Sequence, residues 1–230
     1  MSLDKDIMVE AVDVNKEYRR AGAIIRALAD VNLKIKSGEF VLVQGPTGSG
    51  KSTLLNVLSG LDLPDSGRII FDGENIARAT EDRLSRLRRQ KIGFVFQDFN
   101  LVNTLTAIEN IEAVLWPTVL RQKEIETRSI NALRDVTLLD RKDHYPVQLS
   151  GGEKQRCGIA RAIVHRPRVI LADEPTGNLD PESEKQVMDL LKKINNDMET
   201  TVIVVTHRAS LSSYADKIIK MDKGAIISIK

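Results

Sequence analysis

The chain has 230 residues, which is enough for one domain, or for one domain with an inserted subdomain. It is 42% hydrophobic and 29% charged, as globular proteins usually are, and its net charge of +2 gives no general argument for binding nucleic acid or an acidic membrane surface. Its single cysteine, Cys157, excludes an internal disulfide and fits a reducing compartment.

The first third of the chain is predicted to form strands and helices around a glycine-rich break. It opens with the polar segment Met1–Asp6, which lacks the apolar core of a signal peptide. Apolar residues with a period of two predict strands, and a leucine face after the break predicts a helix. The predicted strands are Met8–Val14, Ala27–Ile35, Glu39–Gln44, Gly67–Asp72 and Ile92–Phe96, and the predicted helices are Lys51–Gly60 and Thr80–Gln90.

The middle of the chain is predicted to be helical. Strand signals vanish from Asp98 to Arg166, and strand–helix alternation resumes after Pro167. Repeated strand–helix units predict a parallel sheet covered by helices, and the helical block predicts an inserted subdomain. No apolar run approaches the roughly 20 residues of a membrane-spanning helix. The predicted helices are Thr106–Leu115, Lys123–Val136, Gly151–Val164, Pro181–Asn195 and Ala209–Ala215, and the later strands are Val169–Ala172, Val202–Thr206, Lys217–Met221 and Ala225–Ser228.

The glycine-rich break fits the P-loop pattern and lies between a strand and a helix, as that motif requires. The N–H groups of such a loop wrap the β-phosphate of a nucleotide, and the helix N-terminus adds the positive end of its dipole. Lys51 supplies charge to the β- and γ-phosphates, the Ser52 hydroxyl is placed for Mg²⁺, and Thr53 adds a hydroxyl toward the α-phosphate. The alternative is a flexible turn. The motif comprises Gly45, Pro46, Thr47, Gly48, Ser49, Gly50, Lys51 and Ser52.

Two acids follow the apolar run Val169–Ala172, a pattern typical of a Walker B strand. Asp173 is predicted to hold Mg²⁺ through a water molecule. Glu174 is predicted to polarise the attacking water as a general base. The alternative is a pair of acids at the end of an ordinary strand, and the P-loop in the same chain favours the catalytic interpretation.

The segment Leu149–Arg156 has the chemistry of a helix N-terminus. Ser150 and the amides of Gly151 and Gly152 form an anion site with little side-chain bulk. This site would duplicate the P-loop if both served one nucleotide in one chain. The residues also fit an ordinary capping box, with Ser150 as N-cap and Glu153 at the third helical position, and both interpretations can hold together.

These motifs together resemble those of the ATP-binding-cassette (ABC) ATPases, and the resemblance covers nearly the whole chain. It implies an α/β fold: a P-loop NTPase (RecA-like) parallel-sheet core with an antiparallel β subdomain and an inserted α-helical subdomain. It implies one domain over 1–230, with the nucleotide-binding core and β subdomain in 1–97 and 166–230 and the helical signature subdomain in 98–165. It further implies hydrolysis of ATP with Mg²⁺, and an ATP-bound homodimer in which the signature segment of one subunit faces the γ-phosphate on the other.

Four further positions receive roles from the same resemblance. Gln97 matches a glutamine that contacts Mg²⁺ and the attacking water, and His207 matches a switch histidine at the γ-phosphate. Leu179-Asp180 matches a loop that crosses the dimer interface. Tyr18, shortly after the first predicted strand, matches an aromatic residue that stacks on adenine. The alternatives are a structural strand-end histidine for His207 and a core or surface tyrosine for Tyr18.

A single cassette with an ordinary helical insert favours the energy-coupling subunit of a transporter, whose transmembrane permease is a separate chain. The expected location is cytoplasmic, at the inner face of the cell membrane through that permease. The alternatives are a soluble ABC ATPase acting on nucleic acid or ribosomes, and a cell-division regulator. Nucleic acid is not an expected partner, because the basic run Arg83–Lys91 is typical of a solvated helix face.

Several stretches resemble the lipoprotein-release and macrolide-efflux branch of the family. The chain departs from the family pattern where Arg208, and not the usual Asp, follows the histidine, and where Cys157-Gly158 replaces a small aliphatic pair. Neither departure touches the phosphate chemistry directly. The stretches that resemble the branch are Arg88–Gln97, Phe99–Leu101, Leu105–Asn110 and Pro175–Asp180.

Overall fold

A computed structural model describes residues 6–20 and 22–230 of the chain. The predicted polar segment Met1–Asp6 therefore lies, except for Asp6, outside the described residues. The strands are β1 (Ile7–Arg20), β2 (Ala23–Lys36), β3 (Phe40–Gln44), β4 (Ser66–Phe71), β5 (Glu74–Asn75), β6 (Ile92–Phe96), β7 (Val169–Asp173), β8 (Thr201–Thr206), β9 (Lys217–Asp222) and β10 (Ala225–Ile229). The α-helices are α1 (Lys51–Leu58), α2 (Glu81–Lys91), α3 (Ala107–Glu112), α4 (Gln122–Asp135), α5 (Gly151–Ile163) and α6 (Pro181–Met198).

The strands form two sheets, as the resemblance implied. One is antiparallel, with the order β2-β1-β4-β5, and the other has six strands in the order β10-β9-β3-β8-β7-β6. The second sheet is parallel from β9 to β6, and β10 is an antiparallel edge strand. In the described residues between β6 and β7 all regular structure is helical, with two short 3₁₀ turns beside α3, α4 and α5.

The central strands are apolar on both faces because both faces are covered. All five residues of β3 and all six residues of β8 are buried. Phe40 and Leu42 join the cluster under α3–α6, whereas Val41 and Val43 join the cluster shared with α1 and the antiparallel sheet. Alternate side chains of a strand point to opposite faces, so one short strand contributes to both hydrophobic cores.

The first hairpin is longer than the sequence predicted. Pairing of β1 with β2 continues past Val14 through residues that are mostly polar and exposed, and register shifts interrupt it near Asp13 and Asp30, both of which have positive φ. Those irregularities remove the alternation that predicts a strand. Tyr18 consequently lies inside β1 and not after the first strand, which corrects the prediction.

One further prediction differs from the structure, and one short strand was not predicted. The helix predicted at Ala209–Ala215 is a 3₁₀ helix over Ala209–Tyr214, in which Ser212 Oγ donates to the carbonyl of Ala209 at 2.7 Å. Serine side chains that bond to nearby carbonyls compete with α-helical pairing. The two-residue strand β5 was not predicted, because two polar residues carry no periodic signal.

Candidate functional site

The candidate site lies at the carboxyl ends of the parallel strands. The register pairs Gln44 with Thr206, Asp173 with Val205 and Phe96 with Asp173, so four strands end along one line. The segments that follow these ends carry the P-loop, Glu174, His207 and Gln97. Ligands of open α/β sheets bind at this edge.

The P-loop has the close backbone packing that its glycines permit. Gly50 has a φ of 98°, and a Cβ atom there would lie 2.3 Å from the carbonyl oxygen of Ala27. A Cβ atom on Gly45 would lie 2.3 Å from the carbonyl oxygen of Met221. No L-residue with a side chain fits either place without moving backbone. The loop therefore presents its amides at the start of α1 without side-chain obstruction.

Lys51 is held within the loop by its ammonium group. Its Nζ donates to the carbonyl oxygens of Gly45 at 2.9 Å and Pro46 at 2.8 Å, and the residue is only 7% exposed. These bonds fix the positive charge beside the amides of the loop. A charge fixed in this way needs little reorganisation to meet a phosphate.

Ser52 and Asp173 meet across the cleft between α1 and β7. Ser52 Oγ donates to Asp173 Oδ1 at 3.0 Å. Burial raises the pKa of Asp173 above its usual range, the neighbouring Glu174 adds to that rise, and the bond from Ser52 and the charge of Lys51 oppose it. Burial disfavours the charged form of a carboxylate, and a nearby cation stabilises that form. The environment of Asp173 therefore agrees with the predicted metal at this position.

Glu174 and His207 form a second pair beside the first. His207 Nδ1 lies 3.0 Å from Glu174 Oε1, and the side chains are 54% and 18% exposed. Glu174 has a φ of 47°, which is unfavourable for a residue with a long side chain, and its N–H donates to the carbonyl of Val205 at 3.0 Å. Strained backbone of this kind clusters at functional sites.

Gln97 is tied to the turn that follows Glu174. Its Nε2 donates to Asn178 Oδ1 at 3.3 Å, and Asn178 Nδ2 donates to the Gln97 carbonyl at 3.3 Å and to Asp98 Oδ1 at 3.0 Å. A Cβ atom on Gly177 would lie 2.9 Å from Gln97 Nε2, so the glycine leaves room for this contact. These bonds connect the segment after β6 to the segment after β7.

Two adjoining cavities connect the paired residues to Tyr18. The first has a volume of about 500 Å³ and the second about 350 Å³, and both are lined by Gly48, Lys51 and Ser52. A larger cavity of about 670 Å³ around Arg166 and Thr200 is lined by none of the predicted site residues. Of those residues, the first cavity is also lined by Thr47, Gln97, Asp173, Glu174 and His207, and the second also by Tyr18, Gly50 and Thr53.

Tyr18 is held by its hydroxyl group and by a neighbouring cation. The hydroxyl donates to Asp62 Oδ2 at 2.7 Å, and Lys16 Nζ donates to Asp62 Oδ1 at 2.7 Å. Lys16 Nζ also lies 5.2 Å from the centre of the Tyr18 ring. Burial, followed by the bond to Asp62, raises the pKa of Tyr18 to about 12, so the phenol stays protonated.

The signature segment is a complete capping box outside both cavities. Ser150 Oγ accepts from the Glu153 N–H at 3.2 Å, and Glu153 Oε2 accepts from the Ser150 N–H at 2.8 Å. Gly151 and Gly152 pack against Leu179 and Ser183. This α5 terminus is therefore not brought to the P-loop of the same chain.

The neighbouring α6 terminus is capped as well. Asp180 Oδ1 accepts from the N–H groups of Glu182 at 3.1 Å and Ser183 at 3.0 Å. Asp180 lines neither of the two adjoining cavities. Its carboxylate thus has a structural role in this chain, whatever it contacts in an assembly.

Comparison with known proteins decides the family. The ABC transporter family matches residues 28–177. An uncharacterized ABC transporter ATP-binding protein of Methanocaldococcus jannaschii is 46% identical over 225 residues, covering 96% of this chain and 99% of its own length. The lipoprotein-releasing system ATP-binding protein LolD of Legionella pneumophila is 40% identical over 221 residues, covering 96% of this chain and 97% of its own length. The dimeric structure of an ATP-binding cassette of the same archaeon, in a post-hydrolysis state bound to ADP and Pi, matches with a TM-score of 0.89 at 42% identity, covering 97% of this chain and 98% of that one.

The chain belongs to the ABC transporter family. It is an ATP-binding and ATP-hydrolysing cassette, and the predicted fold class is confirmed. Lipoprotein-releasing and macrolide-export relatives also confirm the predicted branch. Over residues 6–20 and 22–230, no helix combines the length and apolarity needed to cross a membrane.

The residues of this cassette fit Mg²⁺ bound together with ATP. Ser52 and Asp173 offer a hydroxyl and a carboxylate oxygen 3.0 Å apart, and Mg²⁺ prefers such hard oxygen donors. The described part of the chain contains no group of three or more His, Cys, Asp or Glu side chains that could hold a metal alone. Mg²⁺ usually takes one or two protein carboxylates and completes its shell with phosphates and water.

Sequence analysis missed the residues that hold the predicted ones in place. Asp62 holds Tyr18 across 44 positions, and Glu184 holds Arg208 across 24 positions. Asn178 lay inside a stretch already singled out, although without a role of its own. No local spacing predicts the two distant contacts, because strand order and sheet packing bring those residues together.

Proposed function

We propose that this cassette is the ATP-hydrolysing subunit of an ABC transporter of export or lipoprotein-release type, acting on a separate transmembrane permease. One observation carries the assignment of the catalytic site: Lys51, the Ser52–Asp173 pair and the Glu174–His207 pair all line one cavity. A phosphate-binding cation, metal-binding oxygens and a general base are the parts that phosphoryl transfer to water needs.

The proposed mechanism assigns one task to each residue. Lys51 binds the β- and γ-phosphates, and Ser52 with Asp173 would hold Mg²⁺, which supplies charge stabilisation at the phosphate oxygens when bound. Glu174 orients a water molecule and accepts its proton as the water oxygen attacks the γ-phosphorus and ADP leaves. His207, bonded to Glu174, fixes the direction of the carboxylate. Gln97, which lines the same cavity, is proposed to contact the metal and the water.

The remaining nucleotide contacts are divided between this chain and a second copy. Tyr18 is proposed to stack on adenine at the far end of the second cavity. Ser150, Gly151, Gly152 and Glu153 face neither cavity, so they are proposed to complete the γ-phosphate site of a second copy. Asp180, at the adjoining terminus of α6, would lie at the same interface. A two-fold, head-to-tail homodimer with two ATP molecules satisfies both copies at once.

The proposed permease contact is a cavity of about 280 Å³ behind Gln97. Phe94 and Phe96 stack there with ring centres 5.7 Å apart, and Val114 closes one side. Phe99, Leu101 and Val114 also pack against the hydrophobic core, so local packing accounts for part of their apolar character. The aromatic part of the lining would accept an apolar side chain of a short cytoplasmic helix of the permease, beside the polar residues Asn100, Arg161 and His165.

The lining of the same cavity comes from both proposed parts of the domain, with Phe94 and Phe96 from the core and Val114 and Arg161 from the helical part. Arg161 of α5 donates to the carbonyl oxygen of Phe99 at 2.9 Å and also to that of Asn100. The segment that follows Gln97 is therefore fastened to the signature helix. We keep the proposed boundaries of 98–165 for the helical part and 1–97 with 166–230 for the core. The permease would then hold the protein at the inner face of the membrane.

The test of this function uses Glu174→Gln. The variant should bind ATP without hydrolysing it, because the amide cannot accept the proton of the water. In size-exclusion runs, ATP should convert Glu174→Gln from monomer to dimer. Adding Ser150→Arg should block that shift by bulk and charge at the γ-phosphate.

Lys51→Ala provides the control, since it should lose ATP binding itself. Hydrolysis by Glu174→Gln at the wild-type rate would show that another residue is the base. A strictly monomeric Glu174→Gln at high protein and ATP concentration would contradict the dimer.

A further inference from the structure

Arg208, the residue directly after His207, is tied to α6 by its side chain. Its guanidinium Nη1 donates to Glu184 Oε2, and the two side chains are 30% and 14% exposed. The backbone of Arg208 is also held: its N–H donates to Thr206 Oγ1 at 3.0 Å, and its carbonyl accepts from Gln44 Nε2 at 3.2 Å. His207 therefore lies between two fixed neighbours.

Glu184 also binds the segment that carries the general base. Its Oε2 accepts from Thr176 Oγ1 at 3.0 Å, and Thr176 is 1% exposed. Thr176 belongs to the turn that begins at Glu174, whose carbonyl accepts from the Gly177 N–H at 2.9 Å. One carboxylate oxygen thus joins the segment after β7 to the segment after β8.

We propose that the Arg208–Glu184 ion pair is a positioning device that holds His207 against Glu174 for ATP hydrolysis, an inference that rests on the function proposed above. His207 is 54% exposed and no helix or strand includes it, so its 3.0 Å contact with Glu174 depends on where the loop is held. Loss of the Arg208 side chain leaves the partly buried Glu184 carboxylate without its cation, which favours rearrangement of the segments after β7 and β8. Neither Arg208 nor Glu184 lines the two nucleotide cavities, so ATP binding itself should not depend on them.

The test is a double-mutant cycle in the full chain, with kcat and KM for ATP measured for Arg208→Ala, Glu184→Ala and the double variant. Each single variant should lower kcat about tenfold, equivalent to about 1.4 kcal/mol at the barrier, with KM unchanged. Because Glu184→Ala also removes the bond from Thr176, the double variant should lose no more than Glu184→Ala alone. Arg208→Lys should restore part of kcat, since it returns the charge without the planar fork of arginine.

Lys192→Ala is the matched control, because Lys192 also joins α6 to the segment after β8, through Asp216 at 3.1 Å, but away from His207. It should leave kcat unchanged, and thermal midpoints recorded for every variant separate loss of stability from loss of rate. The inference is overturned if Arg208→Ala keeps kcat within about twofold of wild type, if the single losses multiply in the double variant, or if KM carries the effect.

Two further measurements separate a folding defect from a loss of rate, and failure of the positioning role from failure of the proposed function. If Arg208→Ala does not fold, Arg208→Lys and Glu184→Gln decide: reduced kcat with unchanged KM in both supports the proposal, and wild-type kcat in both overturns it. Glu174→Gln is assayed alongside. If Glu174→Gln abolishes hydrolysis while Arg208→Ala leaves the rate unchanged, the proposed function stands and only the positioning role fails. If Glu174→Gln retains hydrolysis, the assignment of Glu174 as the general base fails.

Discussion

The position of the Tyr18 ring in the second nucleotide cavity depends on its own hydroxyl group. Tyr18 Oη bonds to Asp62, which also binds Lys16, and the Lys16 ammonium lies 5.2 Å from the ring centre. Although burial opposes it, the bonds from Lys16 and Tyr18 hold the pKa of Asp62 below its usual range, so the anchor is charged at neutral pH. The ring is therefore oriented before any nucleotide arrives, which reduces the entropy lost on binding.

We expect Tyr18→Phe to raise KM for ATP several-fold with kcat unchanged, because it keeps the ring and removes the bond that orients it. Tyr18→Ala should raise KM by more, since stacking on one aromatic ring contributes about 1–3 kcal/mol. Steady-state kinetics at varied ATP concentration give both values.

Tyr214→Phe is the matched control for the hydroxyl. Tyr214 donates to Asp189 at 2.7 Å, and its pKa is also raised to about 12, but it lines neither nucleotide cavity. A wild-type KM for Tyr18→Phe with a raised KM for Tyr18→Ala would show that the ring needs no tether. A wild-type KM for Tyr18→Ala would place adenine elsewhere.

Two helices begin with the same cap, but only one is proposed to meet a nucleotide. Thr106 and Glu109 cap α3, and Ser150 and Glu153 cap α5. Removing the N-cap oxygen leaves an N–H without its partner, so Thr106→Ala and Ser150→Ala should each lower the free energy of unfolding by about 1 kcal/mol. In the Glu174→Gln background, only Ser150→Ala should also weaken ATP-dependent dimerisation, measured by sedimentation.

The cap of α5 should also show a pH dependence. The bond from the Ser150 N–H, joined by Arg141, holds the pKa of Glu153 below its usual range. A carboxyl whose folded pKa is lowered stabilises the fold above the unfolded pKa and loses that contribution as pH falls through the folded value. The stability difference between wild type and Glu153→Gln should therefore shrink on acidification. Equal effects of Thr106→Ala and Ser150→Ala on ATP-dependent dimerisation would mean that the α5 cap has no special role in the dimer.

How far the sequence predicted each element depended on burial. The strands β3, β6, β7 and β8 are short and largely buried, so their apolar runs predicted them to within a residue or two. The outer half of the first hairpin is exposed and mostly polar, so its residues carried no strand signal. The placement of Tyr18 was wrong for that reason.

In the candidate site, too, some features were predictable from the sequence and others were not. Motif spacing predicted the P-loop and Glu174, and the family resemblance predicted His207; each follows a strand end, and the strand ends share one sheet edge. The contacts that hold them, Tyr18 with Asp62 and Arg208 with Glu184, join elements that only tertiary packing brings together. Local patterns determine which residue types are present, whereas packing determines which of them touch.

At the scale of the whole molecule, hydrogen bonds connect the nucleotide site to the cavity lined by Phe94, Phe96 and Val114. Gln97 bonds to Asn178 in the turn after Glu174, and the segment after Gln97 is held by Arg161 of α5. Gln155 of α5 donates to the Phe96 carbonyl at 3.2 Å. Closure of two cassettes around ATP would therefore act on the cavity lined by Phe94, Phe96 and Val114.

We expect Val114→Glu to abolish co-purification with a membrane subunit co-expressed from the neighbouring gene, and to abolish the stimulation of ATPase activity by that subunit. A carboxylate on this lining opposes the docking of an apolar helix face, because docking would remove it from water and cover it with the apolar surface of the permease helix. Val119→Glu is the matched control: Val119 lies in the same connection between α3 and α4 but is fully exposed and does not line the cavity. A thermal midpoint near that of wild type for Val114→Glu shows that the core has tolerated the change. Normal binding and stimulation in a folded Val114→Glu would place the permease contact elsewhere, and equal losses in both variants would extend the contact over the α3–α4 connection.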